Sequence, residues 1–421
     1  MQQVILGILG FIFVMGLAVI VHEFGHFITA RKFGVLCHEF AIGMGPILWK
    51  RRKGETLYTI RAIPIGGFVS MGMDEGERDI IKEGEEIGLT LDEFDNVVKI
   101  HVQPEEGQIA ATLVSNTIDI STDLQIAAQI AGERKVYSVD PKAWYIDSKA
   151  NREQQIVPMD KRLEAKPKLQ RFIIMVAGAV MNFTLAYVLV LIVGAFLGET
   201  IGFTNELNSV NQDAPAYEAG LRAGDAILEI DGVVITDGSL ITDGIQAAGA
   251  HEMLVVFERD GATHETVVVP IDQFGTYVIG IQIQPIVERS FGGTFRYANS
   301  QFRNGFMLIA NTLRMLATGE AGVQDLAGPV GVAHMTSQFV AQGILPLLMF
   351  ASLININLGI FNLLPLPALD GGHITFVIIE AIIGKPINSK IQNRVAIVGF
   401  VLFMGLFVFT TFNDVFRLFG R

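Results

Sequence analysis

Four runs without a single charged residue constrain this chain more than any other feature. They are Val4–Val21, which continues into a longer apolar stretch, Phe172–Gly198, Gly343–Leu369 and Val395–Phe412. A helix rising about 1.5 Å per residue needs about 20 apolar residues to cross ~30 Å of hydrocarbon, and each run is about that long. The composition agrees, with 50% hydrophobic residues and a mean hydropathy of +0.44. The expectation is a polytopic α-helical membrane protein with four transmembrane helices. The first run lacks a basic leader and an A-x-A cleavage site, so it is expected to remain in the mature protein.

Lys and Arg near helix ends set orientation. Arg31, Lys32 and Lys50–Lys53 follow the first run, Lys161–Arg171 precedes the second, and Lys385, Lys390 and Arg394 lie between the third and fourth. Glu199–Gly220 and Gly322–Gly343 contain neither residue. The 31–171 and 370–394 regions are therefore expected on the cytoplasmic side. The N-terminus, the 199–342 region and the tail are expected outside, with Arg417 and Arg421 running against this. The net charge of −12 belongs largely to the outward loop, and no basic patch with interleaved aromatics suggests nucleic acid. The single cysteine, Cys37, excludes an intramolecular disulfide and a multi-cysteine metal site.

His22-Glu23-Phe24-Gly25-His26 closes the first run. Histidines four apart share one helix face and can hold one zinc ion, and the adjacent Glu23 can act as general base on a bound water. Ionisable groups inside a membrane helix mark function by default. The third run ends NLGIFNLLPLPALDGGH, from Asn357 to His373. Pro365 and Pro367 interrupt the helix, and irregular backbone at this depth must be buried in protein or line a cavity. Asp370 follows at a depth matching His26. His22, His26 and Asp370 with one water make a four-coordinate site with an open position. His373 is a rival ligand, facing away if a helix starts after Asp370. In the second run, Gly178 permits close helix approach. Asn182, on the same face, either bonds a neighbouring helix or acts beside the metal.

The remaining chain divides readily. Residues 1–33 carry the first helix. In 34–72, Glu55–Met71 reads as a hairpin turning at Gly66-Gly67, with Tyr58, Ile60, Ala62 and Pro64 alternating with more polar positions. This membrane-associated β-hairpin either offers an edge to an extended peptide or only supports the fold. Residues 73–168 form a cytoplasmic, mainly β insertion in which His101 is a surface residue. Then follow the second helix (169–199), an outward mainly β domain (200–287), and an amphipathic helix near 303–319 with a linker (288–342). The third helix (343–374), a cytoplasmic loop (375–394), and the fourth helix with its tail (395–421) complete the chain.

The run Ala219-Gly220-Leu221, Gly224-Asp225 and Ile227-Leu228 resembles a PDZ domain in the permuted order of bacterial proteases, with Tyr277–Gly280 as its peptide-binding loop. HEFGH, NLLPLPALDGG, Gly66–Val69 (GGFV) and one such domain together resemble the site-2 protease family of intramembrane zinc metalloproteases, across essentially the whole chain. The resemblance implies zinc on His22, His26 and Asp370, with Glu23 catalytic. It implies a substrate site shaped by Asn357, Asn362, Pro365 and Pro367. Gly178 with Asn182 would match the family's second-helix motif, although Ala179 stands where the family usually has proline. Tyr58, Ile60 and Gly67 are the expected substrate strand. The implied substrates are single-pass membrane proteins already shortened by another protease, such as anti-sigma factors and remnant signal peptides. The implied location is the bacterial inner (cytoplasmic) membrane, in contact with the lipid bilayer, with the PDZ domain outside and the active site near the cytoplasmic side. A PDZ-bearing scaffold would not need Glu23, and a zinc transporter would need several ligand sets where the chain shows one.

Overall fold

Helix α1 (Gln2–Lys32) opens the computed structural model, which describes residues 2–72, 86–102, 108–119, 124–130, 133–148, 152–273 and 275–419. It runs into two long bent strands, β1 (Cys37–Lys53) and β2 (Thr56–Met71). Each folds back on itself at glycines in the left-handed region, Gly43 (φ 85°) and Gly66 (φ 83°), a conformation costly for any residue with a Cβ. The result corrects the expected hairpin. The two arms of β2 do not pair with each other, because Glu39–Ile42 of β1 lies between them. It is in register with Leu57–Ile60 on one side and Gly67–Ser70 on the other. Trp49–Lys53 then pairs along the far side of Thr56–Ile60. Tyr58 and Ile60 therefore stand on an inner strand, and the free edge beside α1 belongs to Gly67–Met71.

The insertion is mainly β, as expected. Its strands are β3 (Glu86–Leu91), β4 (Val97–His101), β5 (Ile109–Asp119), β6 (Gln125–Ile130), β7 (Glu133–Asp147) and β8 (Arg152–Gln155), in the order β4-β3-β5-β6-β7-β8. A further β4–β7 pairing closes the set into a barrel around Ile87, Leu89, Val97, Ile100 and Ile126. His101 is buried at 7% exposure, not on the surface. Residues 73–85 of this insertion lie outside the described residues.

Helix α2 (Lys168–Leu197) leads into a second unit, Val190–Phe302. This unit comprises β9 (Glu199–Val210), α3 (Pro215–Glu218), β10 (Ala226–Ile230), β11 (Val233–Val234), α4 (Ser239–Ala248), β12 (Met253–Arg259), β13 (Ala262–Val268), β14 (Ile271–Gln273), β15 (Thr276–Val278) and β16 (Ile281–Glu288). Its sheet runs β13-β12-β10-β9-β16, and the apolar face of α4, carrying Ile241 and Ile245, packs into its core.

Helix α5 (Phe291–Thr318) is amphipathic and starts well before the expected 303–319 span. The expected linker contains another helix, α6 (Pro329–Gln342). The third apolar run is helical only over α7 (Ile344–Leu363). The chain then turns through 364–369, and a new helix, α8 (Asp370–Ile383), takes up the first part of the expected loop. Helix α9 (Ser389–Phe419) ends the chain. Among the described residues, four helices are long and apolar enough to cross a membrane: α1, α2, α7 and α9.

Small residues let the helices of the first unit approach closely, as packing between membrane helices requires. A Cβ on Gly25 of α1 would run into the Ala177 backbone of α2. Gly7 and Gly10 seat Ser337 and Val340 of α6 in the same way. Ser352 of α7 donates to the Ala186 carbonyl of α2 at 3.0 Å. The first backbone amides of α6 have no side-chain cap of their own. Asp414 of α9 supplies it, accepting from Gly328 N at 3.2 Å and Gly331 N at 2.6 Å.

Candidate metal centre

The i, i+4 spacing on α1 brings the rings of His22 and His26 edge to face, with centroids 4.7 Å apart. The backbone after α7 doubles back so that Asp370 enters the first turn of α8 directly against them. Ala368 takes a positive φ of 77° in this connection, and Gly371 fits where a Cβ would meet the Leu364 carbonyl. His22 Nε2 and His26 Nε2 lie 3.1 and 3.2 Å from Asp370 Oδ2, and 3.2 Å from each other.

These three atoms are acceptors when the imidazoles are neutral, and Asp370 Oδ2 is buried without a hydrogen-bond partner. A tetrahedral zinc ion with bonds of 2.0–2.1 Å spaces its donors about 3.3 Å apart. The donor set therefore fits zinc in chemistry and in spacing. Gly178 of α2 lies against this cluster. A Cβ there would collide with His26 Nε2 and stand 2.6 Å from His22 Cε1 and 2.8 Å from its Nε2. Only glycine leaves the space beside both ring nitrogens open.

The surrounding groups orient the rings. His26 Nδ1 donates to the Ile174 carbonyl of α2 at 2.8 Å, leaving Nε2 free to ligate. The side-chain amide nitrogens of Asn182 and Asn362 both lie 3.4 Å from His22 Nδ1. With Nε2 ligating, Nδ1 carries the ring proton and needs an acceptor. Asn182 Oδ1 is buried without another partner and suits that role.

Glu23 sits beside His22, facing β2. A Cβ on Gly67 would come within 3.6 Å of Glu23 Cγ, and the Val69 amide reaches the Glu23 carboxylate. Gly67 is thus at the site. Tyr58 packs on Phe27 and Phe40, and Ile60 points outward from its inner strand, so neither reaches the cluster. Asn357 is five residues before Asn362, about 140° around the helix, and does not join it. Pro365 is exposed in the connection, while Pro367 packs against Gly399 of α9. His373 is exposed and outside the cluster. Helix α2 runs unbroken through Ala179, the position where a proline was expected.

Sequence reasoning missed one contributor, the Ile174 carbonyl, which carried no side-chain signal at all.

A His–His–Asp triangle where α1, α2, α7 and α8 meet, beside a glutamate in a chain with four helices long and apolar enough to span, defines the class of membrane-embedded metallohydrolases. The model of peptidase family M50 matches residues 10–406, and the chain belongs to that family. It is 36% identical over 422 residues to the zinc metalloprotease RasP of Shouchella clausii, covering 98% of this chain and 99% of that protein. It is 35% identical over 428 residues to the regulator of sigma-W protease RasP of Bacillus subtilis, with 98% and 99% covered. A PDZ domain of an SdrC-like protein of Listeria monocytogenes is similar at 28% identity and a TM-score of 0.17, covering 18% of this chain and 84% of that structure. The chain is accordingly a multi-pass membrane metalloendopeptidase that uses zinc.

Proposed function

We propose that this enzyme cleaves the membrane segment of single-pass proteins, with zinc held by His22, His26 and Asp370 and with Glu23 as the general base. Bound zinc supplies a Lewis acid that lowers the pKa of its water towards ~7 and polarises the scissile carbonyl. Glu23 takes the proton of the attacking water and delivers it to the leaving amine. The Ile174 carbonyl holds His26 in its ligating tautomer, and the Asn182 side-chain amide, turned so that Oδ1 accepts from Nδ1, would do the same for His22.

A helical substrate has every carbonyl internally bonded and must unwind before attack. The free edge of Gly67–Met71 runs beside Glu23 and can hold the unwound segment by main-chain hydrogen bonds, which tolerate varied sequence. This edge replaces the inner strand of Tyr58 and Ile60 as the substrate strand.

The Val190–Phe302 unit is read as a PDZ-type domain, on its sheet order and its A-G-L-x-x-G-D turn. Placed outside, it would turn away substrates whose ectodomains have not been shed by another protease. The Lys/Arg bias supports an active site near the cytoplasmic face of the bacterial inner membrane. The name of the Bacillus subtilis relative, a regulator of sigma-W protease, supports membrane-bound anti-sigma factors as substrates, with remnant signal peptides as a second group.

One observation carries this reading: three converging acceptor atoms at 3.1–3.2 Å with an adjacent glutamate and an open strand edge. The test compares wild type with Glu23→Gln on a pre-trimmed single-pass substrate, sizing products by mass spectrometry. A cut inside the apolar segment, absent in Glu23→Gln while zinc is retained, is expected. Equal cleavage by the variant would remove Glu23 from the chemistry.

A further inference from the structure

The run Trp49-Lys50-Arg51-Arg52-Lys53 lies on one arm of β1, where successive side chains point to opposite faces of the sheet. Arg52 faces the barrel. It donates to the Glu153 carbonyl at 3.1 Å and stacks on Trp144 at 4.5 Å. Lys50 lines the cavity on that same face. Arg51 and Lys53 point the other way, and among the described residues neither forms an ion pair or a hydrogen bond. Arg61, by contrast, is matched by Glu39 at 2.7 Å.

Arg51 and Lys53 instead border a cavity of about 500 Å³ whose other lining includes Ile42, Trp49, Tyr58 and Ile60. This is the face of the sheet that packs on the last turns of α1 through Phe27, Phe40 and Tyr58. Since α1 spans the membrane and ends at Lys32, the groove belongs to the interfacial layer on that side. Its rim fits this position. Trp49, which lines it, is 49% exposed, an arrangement suited to an acyl boundary. In a chain of net charge −12, two unmatched cations at one end of an apolar groove call for an anionic, amphipathic occupant.

We infer that this groove binds one acidic phospholipid, with an acyl chain along Ile42, Tyr58 and Ile60 and the phosphate between Arg51 and Lys53. A lipid held there would fix the sheet, and with it the Gly67–Met71 edge, at a set depth beside α1. The inference rests on the multi-pass membrane character of the chain and not on the assignment of its catalytic residues.

The test uses the full chain carrying Trp144→Phe, so that Trp49 is its sole indole. The protein is reconstituted in phosphatidylcholine bilayers doped with brominated phosphatidylglycerol or, in parallel, brominated phosphatidylcholine. Brominated phosphatidylglycerol is expected to quench Trp49 at a lower mole fraction, each cation contributing roughly fivefold in affinity. Arg51→Gln with Lys53→Gln should bring the two lipids level, while Lys50→Gln, on the opposite face, should leave the preference intact. Retained zinc reports that each variant is folded. Equal quenching by both lipids in the parent, no quenching by either, or a preference surviving the double substitution would each overturn the inference.

Discussion

Two aspartates in different parts of this molecule are held in opposite ways. Asp225, in the Val190–Phe302 unit, is 1% exposed and saturated with donors. Arg259 donates to both its oxygens at 2.7 Å, and the Arg222 amide donates to Oδ2 at 2.7 Å. Arg259 in turn reaches the Gly220 carbonyl at 2.8 Å, so this one pair ties the A-G-L-x-x-G-D turn to β12. Asp370 faces two imidazole nitrogens that are themselves acceptors when neutral, and among the described residues no donor completes the triangle. Burial alone does not separate structure from function. What separates them is whether the protein supplies the opposite partner.

The strongest way to break this comparison is Asp370→Ala, which should abolish stoichiometric zinc and all cleavage; metal analysis finding full zinc would detach Asp370 from the centre. Nearly as large an effect is expected from Gly178→Ala, whose methyl group would enter the space beside His22 and His26. Zinc content and activity should fall together there, while α2 remains helical by circular dichroism. Asp225→Ala should act the other way, leaving zinc in place while loosening its own domain. The expected cost is about 2 kcal/mol, below that of a fully buried pair because Arg259 is partly solvated. Limited proteolysis of the intact protein would report it, and unchanged resistance would make the pair dispensable. The smallest effect concerns Cys37, a buried thiol that donates to the Val35 carbonyl at 3.7 Å. Burial pushes its thiol up to about 12, so it should stay unlabelled by a maleimide at pH 8 until the protein is denatured.

The convergence of His22, His26 and Asp370 was legible in the sequence because each half is a local pattern: HExxH on one helix face, and Asp370 behind a proline break. The sheet was not. Glu55–Met71 shows two apolar arms around glycines and reads as a hairpin, yet its arms are separated in space by Glu39–Ile42, from an earlier stretch of chain. Helices α6 and α8 escaped because hydropathy finds spans, and these segments are too short to span. Gly178 was visible as a helix contact, but not as the residue that keeps the centre open.

By itself, the sequence determined the number of long apolar helices and pointed to the His22, His26 and Asp370 cluster with Glu23 beside it, since hydropathy and helical periodicity depend on near neighbours in the chain. The tertiary structure alone decided which strand edge faces Glu23, which carbonyl orients His26, and which two of the four consecutive basic residues Lys50–Lys53 turn towards the groove beside Trp49. Those outcomes depend on pairing and packing between segments far apart in the chain, where many registers satisfy the same local pattern and only close packing selects one.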